Sequence, residues 1–254
     1  MCPPRLTPDE RSRYSRTMIL PEVGEEGQCR LKAASVLLVG AGGLGSSVAV
    51  HLTAAGVGRI GIVDPETVDL SNLQRQVIHD TEMIGRLKVD SAREKMFHLN
   101  PHVRVETRVE LFSSRNADEI SAEYEILVDG TDNFHTRYLI NDLCVRTGKT
   151  YVYGAIFRFE GQVSVFDARK GPCYRCLFPE PPPTDLVVNS AETGIFSALP
   201  GIVGTMQASE ILKLILGIGL PLLGRLLLYD AFHMRFQEVL FSKDPDCVTC
   251  GAGP

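Results

Sequence analysis

Short apolar runs alternate with longer amphipathic stretches through the first 156 residues. Residues 36–39, 59–64, 103–109, 126–129 and 151–155 read as strands. Between them, 44–55, 86–99 and about 133–146 carry helical periodicity, and Asn100-Pro101 closes the second helix. This βαβ repetition predicts a Rossmann-like α/β fold, a mainly parallel sheet with helices on both faces. The pattern changes after 156. Residues 157–167 and 225–241 alternate without a helix of their own, which predicts antiparallel strands extending the sheet. A stiff proline-rich segment (178–185) and a helix over about 201–216 lie between them. The first 34 residues read as a polar, partly helical arm, with Thr7 as N-cap and Pro8 at the first helical position. There is no internal repeat. One domain is expected, with an arm (1–34), a core (35–156) and a C-terminal part (157–254).

Charge and composition narrow the classes. With 26 basic and 31 acidic residues the net charge is −5, which argues against a nucleic-acid partner. The apolar run 211–228 is broken by Lys213, Gly217, Gly219, Pro221, Gly224 and Arg225, so it reads as helix, loop and strand rather than a membrane span. The polar N-terminus lacks a signal-peptide core. A cytoplasmic protein without membrane association is the expectation. Seven cysteines in a reducing compartment suggest ligands or buried thiols. Cys2, Cys29 and Cys144 stand alone, whereas Cys173/Cys176 and Cys247/Cys250 form two CxxC pairs.

The first candidate chemistry is the loop "GAGGLGS" (40–46) between a strand and a helix. Gly40 permits a tight turn, Gly42 and Gly43 let backbone N–H groups approach a phosphate, and Gly45 lets the helix pack on the strand. Asp64 ends the next strand and is placed to hold a ribose. These features suit NAD and ATP equally, since both contain adenosine. The segment that follows separates them. Asn72, Arg75 and Gln76, then Lys88 at a helix start, put two cations and two amides behind the loop, which suits a polyphosphate. In "LVDGTDN" (127–133) a strand runs into Asp129, Gly130, Thr131, Asp132 and Asn133. Asp132 is read as the Mg²⁺ ligand, with helix capping the alternative for Asp132 or Asn133. The two CxxC pairs suit a closed, structural tetrahedral Zn²⁺, the rivals being a redox pair or unpaired thiols.

In order along the chain, "RYSRTMIL" (13–20), "GAGGLGS", "DPETVDLSNLQRQ" (64–76), "GRLK" (85–88), "DGTDN" (129–133), "FEGQVSVF" (159–166) and the CxxC pairs closely resemble the MoeB/ThiF-type adenylyltransferases. These are bacterial relatives of ubiquitin-activating enzymes, and the molybdopterin-synthase branch is the nearest likeness. The resemblance implies adenylation, with ATP and Mg²⁺, of the Gly-Gly carboxylate of a ubiquitin-like sulfur carrier, before thiocarboxylate formation. It implies that Gly42 and its neighbours approach the nucleotide, that Asp64 holds the ribose, and that Asn72, Arg75 and Lys88 neutralise the phosphates. Asp132 would bind Mg²⁺, and the four paired cysteines zinc. Arg16, otherwise a solvated helix charge, would be an arginine finger given to the other subunit of a homodimer; Arg13 is the second basic residue nearby. One departure stands out. Where relatives often carry a cysteine before Glu and Gly, this chain has Ser190. Adenylation without a covalent enzyme–carrier adduct is therefore expected, with sulfur from a separate donor (a rhodanese or cysteine desulfurase). The end of the chain soon after the second cysteine pair, without a rhodanese-like domain, gives the same expectation. A crossover loop over the carrier tail would span about 178–194. The competing readings are an NAD-dependent oxidoreductase, which lacks a recognisable hydride-transfer acid/base set, and a non-catalytic nucleotide-binding scaffold.

Overall fold

The structure, a computed structural model, describes residues 5–183 and 193–251. Its strands are β1 (Ser35–Val39), β2 (Arg59–Val63), β3 (Arg104–Arg108), β4 (Ile126–Asp129), β5 (Thr150–Phe157), β6 (Glu160–Phe166), β7 (Arg225–Asp230) and β8 (Arg235–Leu240). They form one open sheet in the order β3-β2-β1-β4-β5-β6-β7-β8. Pairing is parallel from β3 to β5 and antiparallel from β5 to β8. The change of pattern after residue 156 is thus a change from parallel to antiparallel pairing, with tight hairpins joining β5 to β6 and β7 to β8. β5 runs two residues past the expected end of the strand because it pairs with β6 from Tyr151 to Phe157.

Alternate residues of each strand feed opposite cores. Val36 and Leu38 face one, with Val128, Val152 and Val163. Leu37 and Val39 face the other, with Leu127, Tyr151 and Phe166. On the first side lie α1 (Pro8–Arg13), α2 (Ser15–Met18), α3 (Gly24–Ala33), α4 (Gly43–Ala55), α5 (Lys88–Leu99) and α9 (Leu199–Leu216). The other side carries α6 (Ala117–Ser121), α7 (Phe134–Thr147) and α8 (Tyr174–Leu177). α9 has the length and mean hydropathy, 1.2, to cross a membrane, but half of it is buried inside the protein, against α4 and the sheet. It is a core helix, ended by Gly217 in the left-handed conformation, with β7 beginning at Arg225.

The arm is built as its residues dictate. Thr7 accepts from Glu10 N–H while Glu10 accepts from Thr7 N–H, a reciprocal cap that starts α1. Asn100 Nδ2 donates to Tyr14 Oη at 2.8 Å, which pins the arm to the end of α5.

β1 has β2 on one side and β4 on the other, so successive connections leave β1 in opposite directions. At such a reversal the C-terminal strand ends open a crevice. Here two loops meet backbone to backbone. A Cβ on Gly40, whose φ is +96°, would lie 2.8 Å from the Gly130 carbonyl oxygen. Gly45 packs α4 onto β1, and any side chain there would run into the Gly40 carbonyl.

Candidate active site

That crevice holds a cavity of about 440 Å³. Gly40, Gly42, Gly43, Asp64, Asn72, Arg75, Gln76, Lys88 and Asp132 all line it. Nine residues chosen from four separate stretches of sequence therefore share one space. Arg16 does not line it; it lies exposed on α2, next to exposed Ile19 and Leu20.

The floor is the glycine loop. Among the described residues, the N–H groups of Gly42 and Gly43 meet no protein acceptor, as expected where a helix begins. Asp64 is 6% exposed. Its Oδ2 accepts from Ala41 N–H and its Oδ1 from Glu66 N–H, both at 2.8 Å. Each oxygen keeps a second lone pair, enough for a hydroxyl donor.

The cationic wall is set by a short antiparallel contact between two turns. Val68 N–H donates to Arg86 O and Lys88 N–H to Glu66 O, so Lys88 opens α5 opposite Glu66. Its side chain is buried, and Nζ lies 2.6 Å from Glu66 Oε2 on an exposed carboxylate. Arg75 is anchored through Nη1 on Ser71 O at 3.0 Å, and among the described residues its other guanidinium donors meet no acceptor. Gln76 Oε1 is buried in this wall and, among the described residues, has no hydrogen-bond partner. A buried cation, an orphaned amide oxygen and unpaired loop N–H groups match a polyanion with hydroxyls and exchangeable protons.

Across the cavity, the alternatives for the helix cap resolve. Asn133 is the cap of α7, accepting from Thr136 N–H at 2.9 Å. Asp132 is exposed, and among the described residues its carboxylate has no partner. It is thus available to a cation. Asp129 is different. It is fully buried, accepts from Thr131 N–H, Thr131 Oγ1 and Tyr151 Oη, and faces the buried Arg137 guanidinium at 3.4 Å. Burial pushes its pKa up, opposed by Arg137 and by these hydrogen bonds. Asp129 therefore shapes the loop that presents Asp132.

Sequence reading missed several residues here. Leu111 and Phe112 line the cavity and give it an apolar end. Their only sequence signal is an apolar pair just past a strand. His79 is buried behind the glycine loop, with Nε2 3.0 Å from Ala41 O. Phe159 stacks on Phe196 and meets Phe232 edge-on, with centroids 5.6 and 5.3 Å apart, and all three are exposed. This patch adjoins the cavity through Ile156 and Ile195, which line it.

The four paired cysteines form a separate cluster. All four sulfur atoms lie within 4.8 Å of one another. Cys173–Cys247, Cys173–Cys176 and Cys176–Cys250 are 3.7, 3.9 and 3.4 Å apart. Tetrahedral zinc with Zn–S of about 2.3 Å requires sulfurs roughly 3.8 Å apart, so the set fits that ion. These separations are far beyond the about 2.05 Å of a disulfide. Of the lone thiols, Cys29 and Cys144 are buried, and burial raises the Cys144 pKa. Cys2 lies outside the described residues, as do Ser190 and positions 184–192 of the expected crossover loop.

Comparison with known proteins gives concordant results. A profile described as the ThiF family matches residues 14–249. A "Sulfur carrier protein adenylyltransferase" of Thermus thermophilus is 51% identical over 98% of this chain and 94% of its own length. "Adenylyltransferase and sulfurtransferase MOCS3" of Culex quinquefasciatus is 47% identical over the whole chain. "Probable adenylyltransferase/sulfurtransferase MoeZ" of Mycobacterium tuberculosis is 50% identical over 94% of it. The chain spans 58% and 62% of the length of these last two. Among solved structures, E. coli MccB with ATP superposes with a TM-score of 0.83 at 23% identity, over 94% of this chain and 74% of that one. That likeness concerns the fold alone.

Proposed function

Since the chain belongs to the ThiF family, we propose that it uses ATP to adenylate the C-terminal Gly-Gly carboxylate of a ubiquitin-like sulfur-carrier protein. The observation that carries this reading is the cavity at the β1/β4 reversal. It joins a buried cation with loop N–H groups and a carboxylate that have no partner among the described residues, all in one space. A relative named a sulfur carrier protein adenylyltransferase, half identical over nearly its full length, supports the same reaction. MccB, which shares the fold, is solved with ATP and with MccA-N7isoASN. The oxidoreductase reading is not favoured by any of these likenesses.

The chemistry follows from the walls. The base sits at the apolar end by Leu111 and Phe112, and Asp64 holds the ribose. The glycine loop, Asn72, Arg75, Gln76 and Lys88 surround the phosphates. The carrier carboxylate oxygen bonds to the α-phosphorus, and the α–β bridging bond breaks with its electrons leaving on pyrophosphate. Both reactants are anions, so the residues act by positioning and by neutralising charge. Asp132 would hold Mg²⁺, which adds further neutralisation when bound. The four cysteines would hold a structural zinc, closing all its positions to substrate.

The partners follow in turn. The exposed Phe159–Phe196–Phe232 patch at the cavity mouth suits the carrier's apolar surface, its tail reaching past Ile156 and Ile195. Arg16, exposed with Ile19 and Leu20 on a well-anchored arm, is offered to a second copy in a homodimer. Ser190 has no thiol to accept sulfur or an acyl group, so a separate donor, a rhodanese or cysteine desulfurase, completes the thiocarboxylate.

The test is ATP–pyrophosphate exchange measured with and without a Gly-Gly-ended carrier. Exchange that requires the carrier and disappears in Asp132→Ala is expected. ATP binding with no exchange against any carrier would make the protein a scaffold instead.

A further inference from the structure

The nucleotide loop is held from behind by a histidine outside the cavity. His79 is 6% exposed and does not line the cavity. Its Nε2 lies 3.0 Å from the Ala41 carbonyl oxygen and its Nδ1 2.9 Å from Ser91 Oγ. The other side of the Ala41 residue is held too, since its N–H donates to Asp64 Oδ2 at 2.8 Å. Ser91 is also buried, on α5, one turn after Lys88. One imidazole thus joins the glycine loop to the helix that carries the phosphate-facing lysine.

The chemistry of the contacts sets the state of the ring. A carbonyl can only accept, so Nε2 must carry the proton. In a neutral ring Nδ1 is then an acceptor, and the Ser91 hydroxyl donates to it. Burial and the Lys88 charge favour this neutral form, against the Ala41 contact and the charges of Asp64 and Asp80. If Ser91 lost its hydroxyl, Nδ1 would be left buried without a donor, and the ring would be held only by its bond to the Ala41 carbonyl.

We propose that His79 is a positioning residue for nucleotide binding: it fixes the Ala41–Gly43 backbone relative to Lys88, and Ser91 holds the ring in place through Nδ1. This rests on the cavity being an ATP site. It does not depend on which acceptor is adenylated.

The test measures ATP dissociation constants calorimetrically on the full chain, with melting temperatures and the KM for carrier alongside. His79→Phe fills the space without either hydrogen bond. His79→Gln keeps an amide donor near the Nε2 position. Ser91→Ala leaves the ring and removes only its partner. We expect about tenfold weaker ATP binding in His79→Phe, the scale of one unsatisfied buried carbonyl, and about threefold in Ser91→Ala, where that bond stays and only the hold on the ring through Nδ1 is lost. His79→Gln should recover most of the affinity, with the carrier KM unchanged throughout. A purely structural histidine would lower the melting temperature and leave ATP affinity per folded molecule intact, which overturns the proposal. So would equal weakening by Gln and Phe, or an unchanged Ser91→Ala. If His79→Phe fails to fold, Ser91→Ala decides. A chain that binds ATP with these shifts but shows no carrier-dependent exchange loses the adenylation reading and keeps this one. A chain that binds no ATP loses both.

Discussion

Replacing Lys88 with methionine should separate stability from ligand binding. The Lys88 side chain is 4% exposed, while its partner Glu66 is 68% exposed. Burying the ammonium costs several kcal/mol of hydration, and a screened, largely exposed partner returns only about 1 kcal/mol. Methionine keeps most of the stem's volume and removes the buried charge. Glu66 then remains in water, so the penalty of about 3–5 kcal/mol for stranding a buried partner does not arise. The melting temperature without ligand should therefore stay within about 4 °C of the parent or rise, taking about 1 kcal/mol as 2–4 °C for a chain of this size. Binding should respond in the opposite sense. A cation about 4 Å from a phosphate oxygen at an effective dielectric near 20 interacts by about 4 kcal/mol, so retaining only half of the loss still means roughly 30-fold, and all of it roughly 1,000-fold. Thermal melts of the free protein and calorimetric titration with ATP measure the two quantities. If Lys88→Met melts more than about 10 °C lower while its folded molecules bind ATP within about threefold of the parent, Lys88 is a structural cation and the placement of the phosphates is wrong.

Asp132→Ala should leave the melting temperature almost unchanged, since its exposed carboxylate has no partner among the described residues, yet stop exchange; a parent-like rate would remove Asp132 from the site. Mixing Arg16→Ala with Asp132→Ala chains tests the finger. If Arg16 acts on the other subunit, mixed dimers rebuild one complete site and exchange returns, whereas exchange no higher than the sum of the separate variants means that it does not. Metal analysis of reductively purified protein should find one zinc per chain, and Cys176→Ser should lose it and melt about 10 °C or more lower, because the ion would join segments 74 residues apart; a parent that is metal-free and melts where Cys176→Ser does contradicts the zinc assignment. The pH profile follows from His79, whose folded pKa lies below its unfolded value because burial disfavours the charged ring. Its contribution is complete above about pH 6.5, the unfolded value, and declines as pH falls from there through the lower folded pKa. Melting curves from pH 8 to 5 should show a steeper fall for the parent than for His79→Gln, and parallel curves would mean that the ring is not held neutral.

Much of this site was legible because its chemistry is local in the chain. A glycine loop leaving an apolar strand, an acid at a strand end and a cation at a helix start each have a recognisable sequence neighbourhood. Hence Gly40, Asp64, Lys88 and Asp132 could be named before any fold was known. What remained hidden depends on contacts between distant stretches. Asp129 stood where a strand runs into the "DGTDN" turn, and nothing near it in sequence showed that Arg137 would face its carboxylate or that Gln207, 78 residues away, would donate through Nε2 to its carbonyl. His79 lay in the same segment as Arg75 and Gln76 and gave no sign that Ser91 and Ala41 would take both its nitrogens. The aromatic patch was divided among Phe159, Phe196 and Phe232, which only the fold brings together. The reason the local signals converge is itself topological. β1 lies between β2 and β4, so the loop after β1 meets the acid ending β2's neighbourhood on one side and the Asp132 turn after β4 on the other. The Gly40–Gly130 contact makes that meeting close enough for one ligand to span it. A side chain at either position should therefore disturb ATP binding even though neither glycine carries a reacting group.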